Sequence, residues 1–242
     1  MQQHPLVVIP TPVGNLEDIT LRALRLLKES DIVFAEDTRT TGRLFQEYGI
    51  TTPLRSFHIH NEHGMATEVA NRVEQGERVA LVSDAGTPGI SDPGFMAIRA
   101  CLERSLTVTC LPGATAFVPA LVASGLPSER FFFEGFLPNK KGRQSRIEAL
   151  EEREVSTIFY ESPKRLVKLL EEIKEILGEE RVVVVAREIS KRYEEYQRGS
   201  VAEVLGYYRE NEPLGEIVVL VAPKVKEERV HQNKYKNNFK EN

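Results

Sequence analysis

Apolar residues along this chain recur in two alternating rhythms. Short β-branched runs at residues 6–10, 32–35, 54–58, 79–83 and 106–111 predict strands. Between them lie amphipathic stretches with helical spacing. Leu21, Leu24 and Leu27 follow Thr20, a candidate N-cap; residues 41–48 predict a helix that Gly49 can stop, 65–74 one ended by Gly76, and 115–124 another. Asp92-Pro93 reads as an N-cap followed by proline at the first helical position, opening a helix to about Arg104. The rhythm changes after Gly125-Leu126-Pro127. Strands are expected at 131–134, 157–160, 182–186, 193–197 and 217–222, and helices at 144–153, at 163–177 behind Ser162-Pro163, and from a Ser200/Glu203 capping box to Arg209. Strands alternating with helices predict α/β architecture with mostly parallel sheets. The best division is an α/β domain at 1–124, a mixed α/β domain at 125–223 and a polar tail at 224–242.

Composition narrows the class. The 242 residues carry 32 basic and 36 acidic side chains, a net charge of −4, which disfavours non-specific coating of long duplexes but leaves room for a local basic patch. Two cysteines, Cys101 and Cys110, cannot build a disulfide framework or a cysteine-based zinc site. The N-terminus lacks the basic and long apolar regions of a signal peptide. Residues 105–128 are uncharged, yet Pro112-Gly113, Pro119, Gly125 and Pro127 interrupt them, so a strand, a turn and a short helix explain them better than a membrane span. The expectation is a cytoplasmic protein with no membrane partner.

Open α/β sheets bind ligands outside the carboxyl ends of their strands. Three loops there have unusual composition: Thr11-Pro12-Val13-Gly14-Asn15-Leu16 after the first strand, the Gly/Pro-rich run from Ser83 to Gly94 after the fourth, and Pro112-Gly113-Ala114-Thr115-Ala116 after the fifth. Small residues let a ligand approach the main chain, and proline stiffens the path. No GxxxxGK[ST] or GxGxxG motif is present, which disfavours a triphosphate or a nicotinamide dinucleotide. His58, His60 and His63 imitate half of a dinuclear zinc motif, but the downstream histidines it needs are missing except for His231 in the tail, so no metal site is expected.

Glu36 and Asp37 end the second strand beside Arg39; such a pair can do acid/base work, hold the arginine or cap a helix. Lys140, Lys141, Arg143 and Arg146 form the dense basic stretch outside the tail, suited to phosphates or to a solvated helix start. Glu161-Ser162-Pro163 and Pro213-Leu214-Gly215-Glu216 could both face the junction between domains.

The segments TPVGNLEDIT, AEDTRTTGRL, HNE, SDAGTPGISDPG, LPGATA, FEGFLP, FYESP and AREISKRYEE, in this order, resemble the small-subunit ribosomal RNA methyltransferase I family of the tetrapyrrole methylase superfamily, the class III S-adenosylmethionine (SAM) methyltransferases. The resemblance runs over nearly the whole chain. It implies two α/β domains of tetrapyrrole methylase type with the cofactor cleft between them. It implies 2′-O-methylation of a cytidine ribose in small-subunit (16S) ribosomal RNA, as free RNA or in the 30S subunit, by a homodimer. By position, SAM contacts would come from Pro12, Gly86, Thr87, Pro88, Ile90, Thr115 and Ala116, with Tyr160, Ser162, Leu214 and Gly215 from the second domain. A ribose hydroxyl is a poor nucleophile at neutral pH, so a base is expected; Asp37 and Glu36 are the candidates, with Arg39 orienting them or gripping a phosphate. Lys140, Lys141, Arg143 and Arg146 would hold RNA. The rivals are a corrin-type C-methyltransferase and a non-catalytic SAM-binding protein.

Overall fold

The computed structural model of the chain describes residues 4–224. Five strands, β1 (Leu6–Val8), β2 (Ile32–Ala35), β3 (Leu54–Ser56), β4 (Val79–Val82) and β5 (Val108–Cys110), form a parallel sheet in the order β3-β2-β4-β1-β5. Both faces are covered, which is why β2 and β4 are continuously apolar rather than alternating. Val33, Ala35, Ala80 and Val82 face helices α1 (Leu21–Glu29) and α2 (Thr38–Tyr48) through Ala23, Leu27, Leu44 and Phe45. Ile32, Phe34, Val79 and Leu81 face α3 (Glu62–Glu74) and α4 (Phe95–Glu103) through Val69, Val73, Ala97 and Cys101. The neighbouring strands β1 and β4 thus send the chain to opposite faces, β1 to α1 and β4 to α4. Their carboxyl ends diverge there and leave a crevice, the topological switch point at which such sheets bind ligands.

The second sheet holds β6 (Phe131–Phe136), β7 (Ser156–Glu161), β8 (Val182–Arg187), β9 (Glu195–Ser200) and β10 (Ile217–Val221), in the order β6-β7-β10-β8-β9. Here the expected parallel sheet is corrected: only β6 and β7 run parallel, and the other pairings are antiparallel. The eight-to-nine connection is too short for a crossover, so the two strands return as a hairpin, and β10 slots between β7 and β8. Helices α6 (Arg143–Glu148), α7 (Pro163–Leu177) and α8 (Val201–Glu210) cover one face through Ile147, Leu166, Leu170 and Val204. The other face is covered by α5 (Phe117–Ser124), whose Ala120 and Leu121 pack on Ile158, Val184, Val218 and Leu220. A helix that precedes Gly125 in sequence therefore lies on the second sheet and brings the two sheets together.

Local caps follow the sequence closely at some ends and not at others. Thr20 accepts from Ala23 N, and Ser200 and Glu203 make the reciprocal capping box. Asp92 does not cap α4, which begins at Phe95 after Gly94, and α6 spans only Arg143–Glu148. Much of the tail expected at 224–242 lies outside the described residues. Among the described residues no helix is long and apolar enough to cross a membrane.

Candidate active site

The three loops chosen on composition converge at the crevice. Thr11 and Gly86 exchange two backbone hydrogen bonds of 2.9 Å, and Thr11 Oγ1 donates to Ser83 O at 2.9 Å. Thr87 Oγ1 donates to Ala114 O at 3.0 Å, tying the second loop to the third. Gly86 sits at φ +78°, a conformation glycine adopts without the steric cost of a Cβ. Gly94, at φ +149°, brings its α-carbon so near Gly89 that an added Cβ would stand 2.9 Å from Gly89 N. That close return keeps residues 89–94 out of the helix and releases Asp92 from capping.

Between these loops and the second sheet lies a cavity of about 330 Å³. Its wall includes Gly86, Thr87, Ile90, Thr115 and Ala116 from the first half, and Tyr160, Ser162 and Gly215 from the second. Three of the expected contacts lie elsewhere. Pro12 faces a neighbouring cleft, Pro88 is buried behind the loop, and Leu214 is largely exposed. The cavity wall holds no Lys, Arg or His. Of its carboxylates, Glu161 is ion-paired with Arg165 at 2.6 Å, and Glu216 with Lys191 at 3.2 Å. Asp92 has no cationic partner among the described residues. Burial pushes its carboxyl up to about 7, and the nearby carboxylates of Glu36, Asp84 and Glu216 add to this against an opposing hydrogen bond from Ser83. Burial also raises the Tyr160 phenol to about 12, so it stays neutral. Residue-by-residue reading missed Asp92 because its place before a proline matched a helix cap. It also missed Ile189, which enters the cavity from the turn Glu188-Ile189-Ser190, where Glu188 and Ser190 both have positive φ. That strain has no composition signal.

The carboxylates after β2 do not line this cavity. Asp37 N donates to Asp84 Oδ1 at 3.0 Å, and Asp84 N donates to Glu36 Oε2 at 3.3 Å, joining the ends of β2 and β4. Asp37 caps α2 and takes a two-pronged bond from Arg39, at 3.0 Å to Nε and 2.5 Å to Nη2. The Arg39 guanidinium, with its backbone N–H, holds the Asp37 carboxyl down to about 2. Asp37 is therefore a poor base, and Arg39 is already engaged. Burial instead raises both Glu36 and Asp84.

The basic stretch divides. Lys140 and Lys141 are exposed and make no ion pair among the described residues. Arg146 is half-exposed and bonded to Glu134 at 3.0 Å. The expectation for Arg143 is corrected: it is buried, pairs with Glu172 at 2.7 Å and Glu161 at 3.4 Å, and points away from solvent. Its charge serves the floor of the cavity because Glu161, fully buried there, needs cations beside it. Among the described residues no group of three or more His, Cys, Asp or Glu is placed to hold a metal ion.

A family model described as Tetrapyrrole (Corrin/Porphyrin) Methylases matches residues 5–205. A curated relative from Synechocystis, named Ribosomal RNA small subunit methyltransferase I, is 45% identical over 93% of this chain and 81% of its own length. Relatives with the same name from Pseudomonas aeruginosa and Thermotoga maritima are 48% and 42% identical, over 92% and 90% of this chain and 80% and 98% of theirs. Among solved structures, a cobalt precorrin-4 methyltransferase superposes with a TM-score of 0.68 at 17% identity, covering 90% of this chain and 94% of that one. Uroporphyrin-III-C-methyltransferase from Thermus thermophilus gives 0.64 at 20% identity, with the same coverage. The fold, the crevice and these similarities agree: the chain belongs to the tetrapyrrole methylase family and, within it, to the ribosomal RNA small subunit methyltransferase I group.

Proposed function

We propose that this chain transfers a methyl group from SAM to the 2′-hydroxyl of a cytidine ribose in small-subunit ribosomal RNA, in the cytoplasm and as a homodimer. The observation that carries the reading is the chemistry of the cavity. Its lining is largely small and apolar, holds no cationic side chain among the described residues and presents the carboxyl of Asp92, which has no ion pair there. Such a wall disfavours phosphates and suits a ligand that is itself positively charged. SAM fits that description, and its volume class matches a cavity of this size. Gly86, Thr87, Ile90, Thr115 and Ala116 would hold it from one side and Tyr160, Ser162 and Gly215 from the other, with Asp92 facing positive charge. When bound, it supplies a methyl group already made electrophilic by the sulfonium.

The chain's own residues then have two tasks. They must hold the hydroxyl close to the methyl carbon, about 3–3.5 Å away, and relieve it of its proton. Glu36 and Asp84 suit the second task, since desolvation raises both carboxyls from their ordinary values. Lys140 and Lys141 are the free cations of the basic stretch and would contact RNA phosphates. A dimer is supported by apolar surface left open on the edge strand β6 and on α5: Phe131, Phe132, Val118 and Val122. The test is incubation with methyl-labelled SAM and either 30S subunits or naked ribosomal RNA. Label recovered in a ribose-methylated cytidine supports the reading; SAM binding without label in either RNA rejects it.

A further inference from the structure

The loops of the first sheet touch the second sheet at two tight points on the rim of the cavity. At one, a Cβ added to Gly14 would overlap Lys191 Cγ and stand 3.0 Å from Ile189 O. At the other, a Cβ added to Gly135 would stand 3.1 Å from Ser91 Oγ. Val13 and Ile189 at the first point, and Ser91 and Phe136 at the second, line the cavity itself. Each contact therefore joins the two halves directly beside the ligand space.

Backbone strain gathers at the same two points. Among the described residues, the non-glycine residues with positive φ are Ser91, Ser105, Glu188 and Ser190. Ser91, at +62°, makes one contact; Glu188, at +53°, and Ser190, at +63°, bracket Ile189 in the turn that makes the other. Such backbone is costly for a residue with a Cβ and persists only where its surroundings impose it, commonly at ligand clamps and switches.

The turn at 188–191 is fastened by charge. Lys191 Nζ pairs with Glu188 at 2.8 Å and with Glu216 at 3.2 Å. Glu188 N donates to Glu216 O, and Glu216 N donates to Glu188 Oε1, both at 2.9 Å. Gly215 makes room for this, since a Cβ there would overlap the Glu188 carboxylate. The Glu216 side chain is largely exposed, so water and salt reach its pair with Lys191, and exposed pairs hold weakly. A strained turn with a weak fastening lies over the cavity and carries one of its wall residues, Ile189.

Resting on the reading of this cavity as the SAM site, we propose that the turn at 188–191 is a latch over it, with Gly14 as its seat and Lys191 as its bolt. Closed, it fixes the span between Val13 and Ile189 and so positions the ligand. Released, it lifts Ile189 from the wall and lets cofactor or product pass. Motions of this kind set release rates in many enzymes.

Gly14→Ala changes no charge and, at a glycine whose φ is not positive, adds only the Cβ that meets Lys191. Lys191→Ala removes the bolt and the atom that the new Cβ would meet. Parent, both single variants and the double variant are compared by tryptic cleavage after Arg192 without ligand, and by melting. Ligand release is followed with S-adenosylhomocysteine, whose zero net charge keeps the lost lysine from biasing the rate. Each single variant should speed cleavage and release about fivefold, the scale of a partly exposed ion pair. The double variant should match Lys191→Ala rather than reach about 25-fold, because both changes act on one contact. Lys191→Arg, which keeps stem and charge, should stay near the parent, and melting should shift little in all of them. Parent-like cleavage and release in both single variants overturn the latch. So does a double variant whose effects multiply, because Gly14 and Lys191 then act apart. A parent that binds neither SAM nor S-adenosylhomocysteine rejects the cofactor reading, and the latch with it.

Discussion

With SAM placed as proposed, the carboxyl of Asp92 should make its binding depend on pH. Burial and neighbouring carboxylates raise that carboxyl to about 7. A positively charged ligand favours the ionised form, so binding at low pH must first remove a proton. At pH 8 the group is already ionised and binding releases almost nothing from it. At pH 6 it is mostly protonated, and binding releases close to one proton. If the bound carboxyl falls to the ordinary carboxylate range, affinity should drop about tenfold between pH 8 and pH 6, at most about 1.4 kcal/mol. The assay is calorimetry at both pH values, in buffers of different ionisation enthalpy so that released protons are counted. The amino group of the ligand also titrates, so the reference is Asp92→Asn, which keeps the shape and removes the charge. The variant should bind more weakly at pH 8 and lack the parent's extra loss at pH 6. Identical pH profiles and proton counts for parent and variant would refute the reasoning.

Four further outcomes follow from the same geometry. Arg143→Ala should cost roughly 1–3 kcal/mol of stability in denaturant melts, since it strips a buried cation from Glu161 and Glu172 while Glu161 keeps Arg165. By contrast, Lys140→Ala with Lys141→Ala should leave melting unchanged and flatten the salt dependence of RNA binding by about 0.7 per lost contact. Gly86→Val would place Cβ at an ordinary 3.6 Å from Val13 Cγ1, so its cost is the positive φ, about 1–2 kcal/mol, with SAM affinity lost as the branched side chain enters the cavity. In single-turnover methylation, Glu36→Gln or Asp84→Asn should slow transfer, while Asp37→Asn should run near the parent rate because that carboxyl is tied up by Arg39; a slow Asp37→Asn enzyme would return the base role to Asp37.

Much of the molecule was legible along the chain, because the deciding forces there are local. Short β-branched and apolar runs became strands, Thr20 and the Ser200/Glu203 pair capped helices, and Gly49 stopped α2, in the left-handed conformation. Gly/Pro loops at strand ends marked the crevice, since backbone permissiveness is a property of the residue itself. What the chain alone could not decide depends on partners far away in sequence. The antiparallel pairings of the second sheet follow from where β10 inserts, which no local rhythm encodes. Arg143 looks like any surface cation until Glu161 and Glu172 arrive from β7 and α7 and the surrounding core buries Arg143 with Glu161. Asp92 reads as a helix cap until the return of Gly94 onto Gly89 holds it off the helix, and the low-dielectric cavity it then enters raises its carboxyl. Local propensity thus set the elements. Burial, a sum over distant neighbours, assigned the charges their work.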